Sequence, residues 1–161
     1  MLAVRITSGP IVQSFVENFL QRGLISPEQS QRLERAATQD SSSFVRLVYS
    51  SGFVDQQVLA TELSRHYGIR MLEETERPKG PVLPNCISHR FMREHRVLPL
   101  WADQQTIAVA ISDPSDTAVI TAIRVATERE VELRLATESQ IMSLVEKQLD
   151  SAPGGPDDIT D

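Results

Sequence analysis

The segment that decides the fold is "SFVENFLQRGLISPEQ" at residues 14–29, because the chain repeats its pattern at residues 43–57 as "SFVRLVYSSGFVDQQ". Aligned without a gap, the two copies place Gly23 over Gly52, and an apolar segment precedes each glycine. A helix-start signal follows each glycine. A glycine directly after an apolar helical stripe is typical of a helix end. The repeat therefore predicts two helix–glycine–helix hairpins.

Helix periodicity and capping residues give the limits of these hairpins. Apolar residues recur at helical spacing over 11–22, and "SPEQ" at 26–29 is a capping box that opens a helix running to Thr38. In the second copy, serines 41–43 precede a helix that ends near Gly52, and Asp55 caps the next helix. Each hairpin leaves its apolar stripe uncovered, so we predict a four-helix bundle over residues 11–71.

The composition changes after the bundle. Residues 72–84 are rich in proline and charge, which predicts a linker or a surface crossing. "PNCISHRFMREHR" at 84–96 indicates a short helix with Pro84 in its first turn. "VLPLWA" and "TIAVAIS" are apolar runs of strand length, and Pro99 should place the first on a sheet edge or a bulge.

The remainder of the second part alternates helix, strand and helix. "SDPSD" at 112–116 predicts a turn and cap before a helix that buries Val119, Ile120, Ile123 and either Val125 or Ala126. "VELRLA" has the period of a half-buried strand, and "TESQ" at 137–140 is a second capping box. Residues 85–150 are thus predicted to form a small α/β sandwich with a three-stranded sheet and helices on one face. The fold class is α+β.

The two ends have a different character. Residues 1–10 are predicted to be a flexible leader, and the glycine-, proline- and aspartate-rich residues 151–161 a flexible linker to a further region.

Composition excludes several classes of function. The 161 residues carry a net charge of −6 with only two lysines, which disfavours a nucleic-acid binder. No apolar run reaches the roughly 18 residues of a membrane-spanning helix. The chain has no G-x-x-x-x-G-K-[ST] phosphate loop, and its Lys79-Gly80 pair lies in the proline-rich segment. We therefore predict a cytoplasmic, non-enzymatic module.

Metal and thiol chemistry are not indicated either. Cys86 is the single cysteine, and its surroundings lack a recognised nucleophile context. The histidines, His66, His89 and His95, do not have the i, i+4 spacing of a helix-borne metal site. No cofactor or metal is expected in this chain.

Beyond these patterns, the sequence resembles the N-terminal domain of the cytoplasmic assembly ATPases of type II secretion systems and type IV pili, the GspE N-terminal or MshEN-type domain. The resemblance covers roughly residues 11–149 and is carried by three segments: "GLISPEQSQRLERAATQ" (23–39), "FVRLVYSSGFVDQQVLATELSRHYGI" (44–69) and "FMREHRVLPLWADQQTIAVAISDPSDTAVITAIRVATEREVELRLATESQI" (91–141). Its most specific parts are "HRVLPL", "AISDPSD" and "VELRLATESQI".

The resemblance implies a docking and regulatory role. In type II secretion the domain recruits the ATPase to the cytoplasmic domain of an inner-membrane platform protein of GspL type. It implies a parent that is a homo-hexameric ATPase, with ATP and magnesium bound only in a region outside this chain. It further implies a peripheral location at the inner membrane through that partner, without insertion into the membrane.

The same family implies an alternative function, the binding of cyclic di-GMP. In a subset of these ATPases each repeat contains Arg-Leu-Gly, a glycine seven residues later and a Leu-x-x-x-Leu-x-x-Gln segment. The corresponding positions in the present sequence are Ser14, Phe15, Val16, Gly23, Ser43, Phe44, Val45, Gly52, Leu59, Leu63 and His66.

Only part of that motif is present. The glycines and the leucines of the second repeat match, whereas serine replaces arginine and valine replaces the first glycine in both repeats. The first repeat also has Ser30, Glu34 and Ala37 in place of its leucines and glutamine. An arginine would pair with the ligand and a glycine would allow close approach of a base. The repeat is therefore expected to persist as bundle architecture with its nucleotide chemistry lost.

Overall fold

The computed structural model describes residues 16–39 and 44–151, and of residues 37–39, 44 and 151 it describes the backbone only. The chain divides into two compact units, Met1–Leu59 and Ala60–Asp161. The predicted leader and C-terminal linker lie outside the described residues, apart from Ser151.

Four helices form the two predicted hairpins. The first, α1, is described over residues 16–21. It is followed by α2 (Pro27–Gln39), α3 (Phe44–Ser51) and α4 (Gln56–Tyr67). The boundary between the two units lies within α4, so that its first residues belong to one unit and the remainder to the other. The prediction of two hairpins is confirmed.

Local signals set the helix ends. Gly23 and Gly52 follow α1 and α3 with φ of 70° and 73°, a left-handed conformation that glycine adopts without steric cost. Ser26 and Gln29 form the predicted capping box, with the two backbone-to-side-chain bonds at 2.9 and 3.1 Å. The Asp55 carboxylate accepts from the second and third amides of α4.

The first unit is held by an apolar core in which α2 packs on α3. Its buried apolar residues are Val16, Phe19, Ile25, Leu33, Val45, Val48, Tyr49, Val54 and Leu59.

The second unit contains a three-stranded mixed sheet in the order β1-β2-β3, formed by β1 (Val97–Ala102), β2 (Thr106–Ile111) and β3 (Glu130–Leu135). Strands β1 and β2 are antiparallel, whereas β2 and β3 are parallel. The parallel pair needs a crossover connection, and a helix between β2 and β3 provides it.

Three helices accompany the sheet. Helix α5 (His89–His95) precedes β1, α6 (Thr117–Thr127) makes the crossover between β2 and β3, and α7 (Glu138–Ser151) follows β3.

 Ser88 caps α5 and Asp116 caps α6, each accepting a hydrogen bond from the third helical amide.

Strand β1 lies at an edge of the sheet and contains a bulge. Its register shifts between Pro99 and Trp101, since Pro99 pairs with Val109 and Trp101 pairs with Ala108. Proline cannot donate to a ladder and is confined to edges and bulges. The structure therefore confirms the predicted position of Pro99 on both counts.

The helices lie on one face of the sheet, as predicted. Helix α5 packs on α7, and α7 packs on β1 and β2. Helix α6 packs on β3 and lines a common groove with Phe91 of α5. The central strand β2 is buried from Ile107 to Ile111, so its other face is also covered.

The predicted linker, residues 72–84, makes specific contacts with the sheet. Backbone hydrogen bonds join Leu72 and Arg70 to Leu135 of β3, both at 2.8 Å. The Arg134 side chain, 9% exposed, donates to the Glu76 carboxylate at 2.8 Å. The boundary between the two compact units thus lies within α4. The composition of the sequence instead predicts a linker at residues 72–84 between two subdomains.

Two details of the sequence prediction are wrong. Helix α5 begins at His89 and not at Pro84, because Ser88 provides the cap and the preceding residues form turns. In α6, Val125 is 71% exposed and Ala126 is exposed, and Thr127 is buried instead. The Thr127 hydroxyl donates to the Ile123 carbonyl at 2.7 Å, which satisfies the buried polar group.

Candidate functional site

Most of the predicted cyclic di-GMP positions fall within the described residues. Ser14, Phe15 and Ser43 lie outside the described residues, and Phe44 is described by its backbone only. Val16 and Val45 are 3% and 2% exposed. Both valines therefore belong to the apolar core of the first unit.

The remaining motif positions have structural roles or are exposed. Gly23 and Gly52 are the helix-ending glycines, and a side chain built on either would meet nothing within 4 Å. Leu59 and Leu63 are buried, whereas His66 is exposed on α4. Leu63 and His66 belong to the second of the two compact units.

These positions can form a packed helical repeat, but the described ones carry little nucleotide-binding chemistry. A buried valine occupies the position at which the family motif has a glycine that admits a base. Neither Ser14 nor Ser43 can supply the planar, charged hydrogen-bond donors of an arginine. Backbone conformation accounts for the two turn glycines, and packing accounts for the buried leucines, without a bound ligand.

The described residues contain neither a metal-binding cluster nor a helix that could span a membrane. Among residues 16–39 and 44–151, no group of three or more histidine, cysteine, aspartate or glutamate side chains could hold a metal ion. No helix in this part of the chain is both long and apolar enough to cross a membrane. Cys86 is a free, exposed thiol.

The "DPSD" turn packs against the end of α4. Burial of the Tyr67 phenol and the nearby Asp113 carboxylate raise the pKa of Tyr67, against a smaller opposing effect of the Ser115 hydroxyl. The Asp116 side chain caps α6 at 3.2 Å, as the sequence predicts. The turn thus has a structural role in positioning α6.

A groove opens between α6 and the turn that precedes α5. It has a cavity volume of about 290 Å³ and is mostly apolar. Its lining residues are Pro84, Asn85, Cys86, Ile87, Ser88, Phe91, Ala122, Ile123 and Ala126.

A second exposed feature lies at one end of the sheet. Trp101 is 39% exposed, and with Val125 it is one of two large apolar side chains exposed among the described residues. The register aligns Trp101 with Ala108 of β2 and, beyond it, with Glu132 of β3. Directly paired residues of neighbouring strands point to the same face, so these three form a row across it.

Two further carboxylates lie at this end. Glu130 is two residues before Glu132 on β3 and therefore on the same face, and Asp103 follows β1 in the hairpin turn. We call the set Trp101, Ala108, Asp103, Glu130 and Glu132 the Trp101 surface.

Two of the three carboxylates of the Trp101 surface have hydrogen-bond or ion-pair partners. Backbone amides of Gln105 and Thr106 donate to the Asp103 carboxylate and hold its pKa below the usual range. Glu132 lies 3.6 Å from Arg134, which is itself bonded to Glu76. Among the described residues Glu130 has no ion-pair partner.

Sequence reasoning missed Trp101, which it placed in an apolar strand with no functional role. The available signal was Pro99, because a bulge next to a proline changes the face to which the following side chains point.

Comparison with known proteins identifies the class to which this fold belongs. A model of the MshEN domain family matches residues 67–154, more than half of the chain. The chain therefore belongs to the MshEN domain family. This match begins after His66 and does not include the predicted cyclic di-GMP positions.

Individual relatives agree with the family. The chain is 25% identical over 136 residues to the type IV pilus assembly ATPase PilB of Pseudomonas aeruginosa. This alignment covers 84% of the chain and 24% of PilB. It is 20% identical over 131 residues to PilB of Myxococcus xanthus, covering 81% of the chain and 23% of that protein. The chain thus spans about a quarter of the length of these relatives.

Solved structures share the fold. The N-terminal domain of XpsE matches with a TM-score of 0.68 and 22% identity, covering 84% of this chain and 94% of that domain. MshE, solved with cdg, matches with a TM-score of 0.59 and 18% identity, covering 83% of this chain and 96% of that one. The α+β fold predicted from the sequence is therefore confirmed.

Proposed function

We propose that the chain is the N-terminal docking and regulatory domain of a type II secretion assembly ATPase, which it recruits to an inner-membrane platform protein. The observation that carries the proposal is the coverage of the XpsE match. The alignment includes nearly all of an N-terminal domain and most of this chain, so the same architectural unit occurs in both.

The character of the described residues supports a binding role. The sequence has no phosphate-binding loop, and several of the charged side chains serve as helix caps or form ion pairs. ATP and magnesium would be bound in a region beyond this chain, consistent with the short span of the PilB match. The parent would act as a homo-hexamer.

The partner that we propose is the cytoplasmic domain of a GspL-type platform protein. Through it the ATPase would be held on the cytoplasmic side of the inner membrane without an inserted segment of its own. An exposed apolar side chain rimmed by charge is the type of surface that such docking requires, and the Trp101 surface has this character.

A second candidate is a cyclic di-GMP-binding regulatory domain. The observation in its favour is the likeness to MshE solved with cdg, read as cyclic di-GMP. The buried Val16 and Val45 argue against it, because ligand approach at these positions would have to displace core side chains. We therefore favour docking, and we propose that cyclic di-GMP binding is lost.

Isothermal titration of the chain distinguishes the two functions. We expect stoichiometric heat with the cytoplasmic domain of the platform protein from the same secretion locus, and no heat with cyclic di-GMP. Binding of the dinucleotide at micromolar concentration or below would contradict the argument from the valines. Absence of heat with the platform domain would contradict the docking function.

A further inference from the structure

The bulge in β1 determines where the single tryptophan points. In an unbroken register, Leu100 would pair with Ala108 and Trp101 with Ile107, so that Trp101 would lie on the opposite face of the sheet. The extra residue moves Trp101 opposite Ala108, and Leu100 becomes the buried residue, at 4% exposure. Bulges commonly redirect a side chain in this way. The face of the sheet on which Trp101 lies is thus a consequence of the bulge in the backbone.

The face that receives Trp101 is acidic at this end. Strand alternation places Glu130 and Glu132 on the face of Ala108, and Asp103 is adjacent in the hairpin turn. Adjacent strands lie about 4.8 Å apart, so Trp101 and Glu132 are separated by roughly 10 Å across Ala108. Since Ala108 is fully buried, the indole and the carboxylates are the exposed groups of the surface.

The neighbouring cations do not neutralise these groups completely. Arg134 is 9% exposed and donates to Glu76. Arg129 donates to the main-chain carbonyls of Asp103 and Thr127, and its charge also contributes to the lowered pKa of the Asp103 carboxylate. Glu130 is exposed with no ion-pair partner among the described residues, and the Glu132 side chain is 46% exposed.

We propose that the Trp101 surface binds a basic segment of a partner protein, with an arginine or lysine side chain placed over the indole and between the carboxylates. A cation over the face of a tryptophan is attracted by the ring, and flanking carboxylates add charge-assisted hydrogen bonds. The inference rests on the proposed docking function and adds to it the docking face and the charge of the partner.

The first measurement uses the fluorescence of Trp101, the only tryptophan in the chain. The probe is a short synthetic peptide that alternates arginine with valine, and the control is the same peptide with glutamate in place of arginine. We expect the arginine peptide to change the Trp101 emission saturably and the glutamate peptide to leave it unchanged. Equal responses, or none, would overturn the proposed charge preference.

Variants then separate this surface from the rest of the molecule. Glu130→Lys should weaken binding of the arginine peptide and of the platform domain by about tenfold, because it replaces attraction with repulsion. The matched control is Glu146→Lys, the same charge change on an exposed residue of α7, which should alter binding less than about twofold. Trp101→Ala should weaken binding by roughly five- to thirtyfold, measured by titration calorimetry.

The outcomes distinguish the two proposals. If the wild-type chain binds the platform domain and Glu130→Lys and Trp101→Ala bind it equally well, docking stands and the Trp101 surface is not the site. If only the arginine peptide binds, the surface is cation-selective and the platform proposal fails. A concentration-dependent change in Trp101 emission without any probe would indicate a second copy of the chain as the occupant and would overturn the inference.

Discussion

The ion pair between Glu76 and Arg134 should hold residues 70–76 against β3, and the change Glu76→Ala tests this. The pair is nearly buried, with side chains 16% and 9% exposed and a nitrogen–oxygen distance of 2.8 Å. Without Glu76, the Arg134 guanidinium keeps a carbonyl at 3.0 Å and the half-exposed Glu132 at 3.6 Å. Breaking a buried pair by removing one partner costs about 3–5 kcal/mol, and the remaining partners reduce our expectation to about 2–4 kcal/mol.

The assay is amide hydrogen exchange at Leu72 and Leu135, whose backbone hydrogen bonds join the segment to the strand. If the free energy of local opening falls by about 2–4 kcal/mol, hydrogen exchange at these two amides should become faster by roughly 1.5 to 3 orders of magnitude. The matched control is Glu74→Ala in the same single 3-10 turn, Glu74–Glu76, because the Glu74 side chain is 77% exposed and its pair with Arg77 should contribute at most about 1 kcal/mol.

A paired substitution tests the physical reason. Glu76→Leu combined with Arg134→Met removes both charges and keeps apolar volume, so it should cost less than Glu76→Ala alone. The reasoning would be refuted if Glu76→Ala and Glu74→Ala gave the same exchange rates, since Leu72 packing alone would then hold the segment.

Three further predictions concern pH, turns and caps. Burial alone would raise the pKa of Glu76. This effect is outweighed by hydrogen bonds from Arg134 and from the Glu73 amide and by the charges of Arg134 and Arg70, so the pKa is lowered. The contribution of Glu76 to stability should therefore be complete above the unfolded pKa of about 4.3, and it should be lost as the pH falls through the lower folded pKa. Urea unfolding of Glu76→Gln should lack this pH-dependent contribution. Gly23→Ala and Gly52→Ala should each destabilise the first unit by about 1–2 kcal/mol in urea unfolding. The effect should be similar at both sites, because the added methyl group meets no neighbour and only the backbone conformation contributes. Ser88→Ala should cost about 1 kcal/mol by loss of the α5 cap, and Ser88→Asp, which can also cap, should restore the urea midpoint.

Much of the fold follows from local patterns in the sequence. The capping boxes at Ser26–Gln29 and Thr137–Gln140 involve side chains three residues from their partners, so their geometry is fixed once the helix begins. Glycine at 23 and 52 likewise marks a chain reversal that few other residues adopt at low cost. These features predict the number and order of the helices because they depend on contacts between near neighbours.

The candidate sites were predicted less well because they depend on contacts between distant residues. The motif comparison identified serine and valine in place of arginine and glycine, and the structure added that Val16 and Val45 are core side chains. The helical periodicity of α6 indicated that either Val125 or Ala126 is buried, although the neighbouring elements cover a different side of that helix.

The sequence by itself determined the helical repeat, the strand-and-helix order of the second part and the edge position of Pro99, since each depends on periodicity, capping or the missing amide of proline. Only the tertiary structure decided that Glu76 meets Arg134 across 58 positions of chain, and that Trp101 aligns with Ala108 and Glu132. Pairing partners and the register shift of a bulge are set by the packing of whole strands, and one residue of register moves a side chain to the opposite face of a sheet.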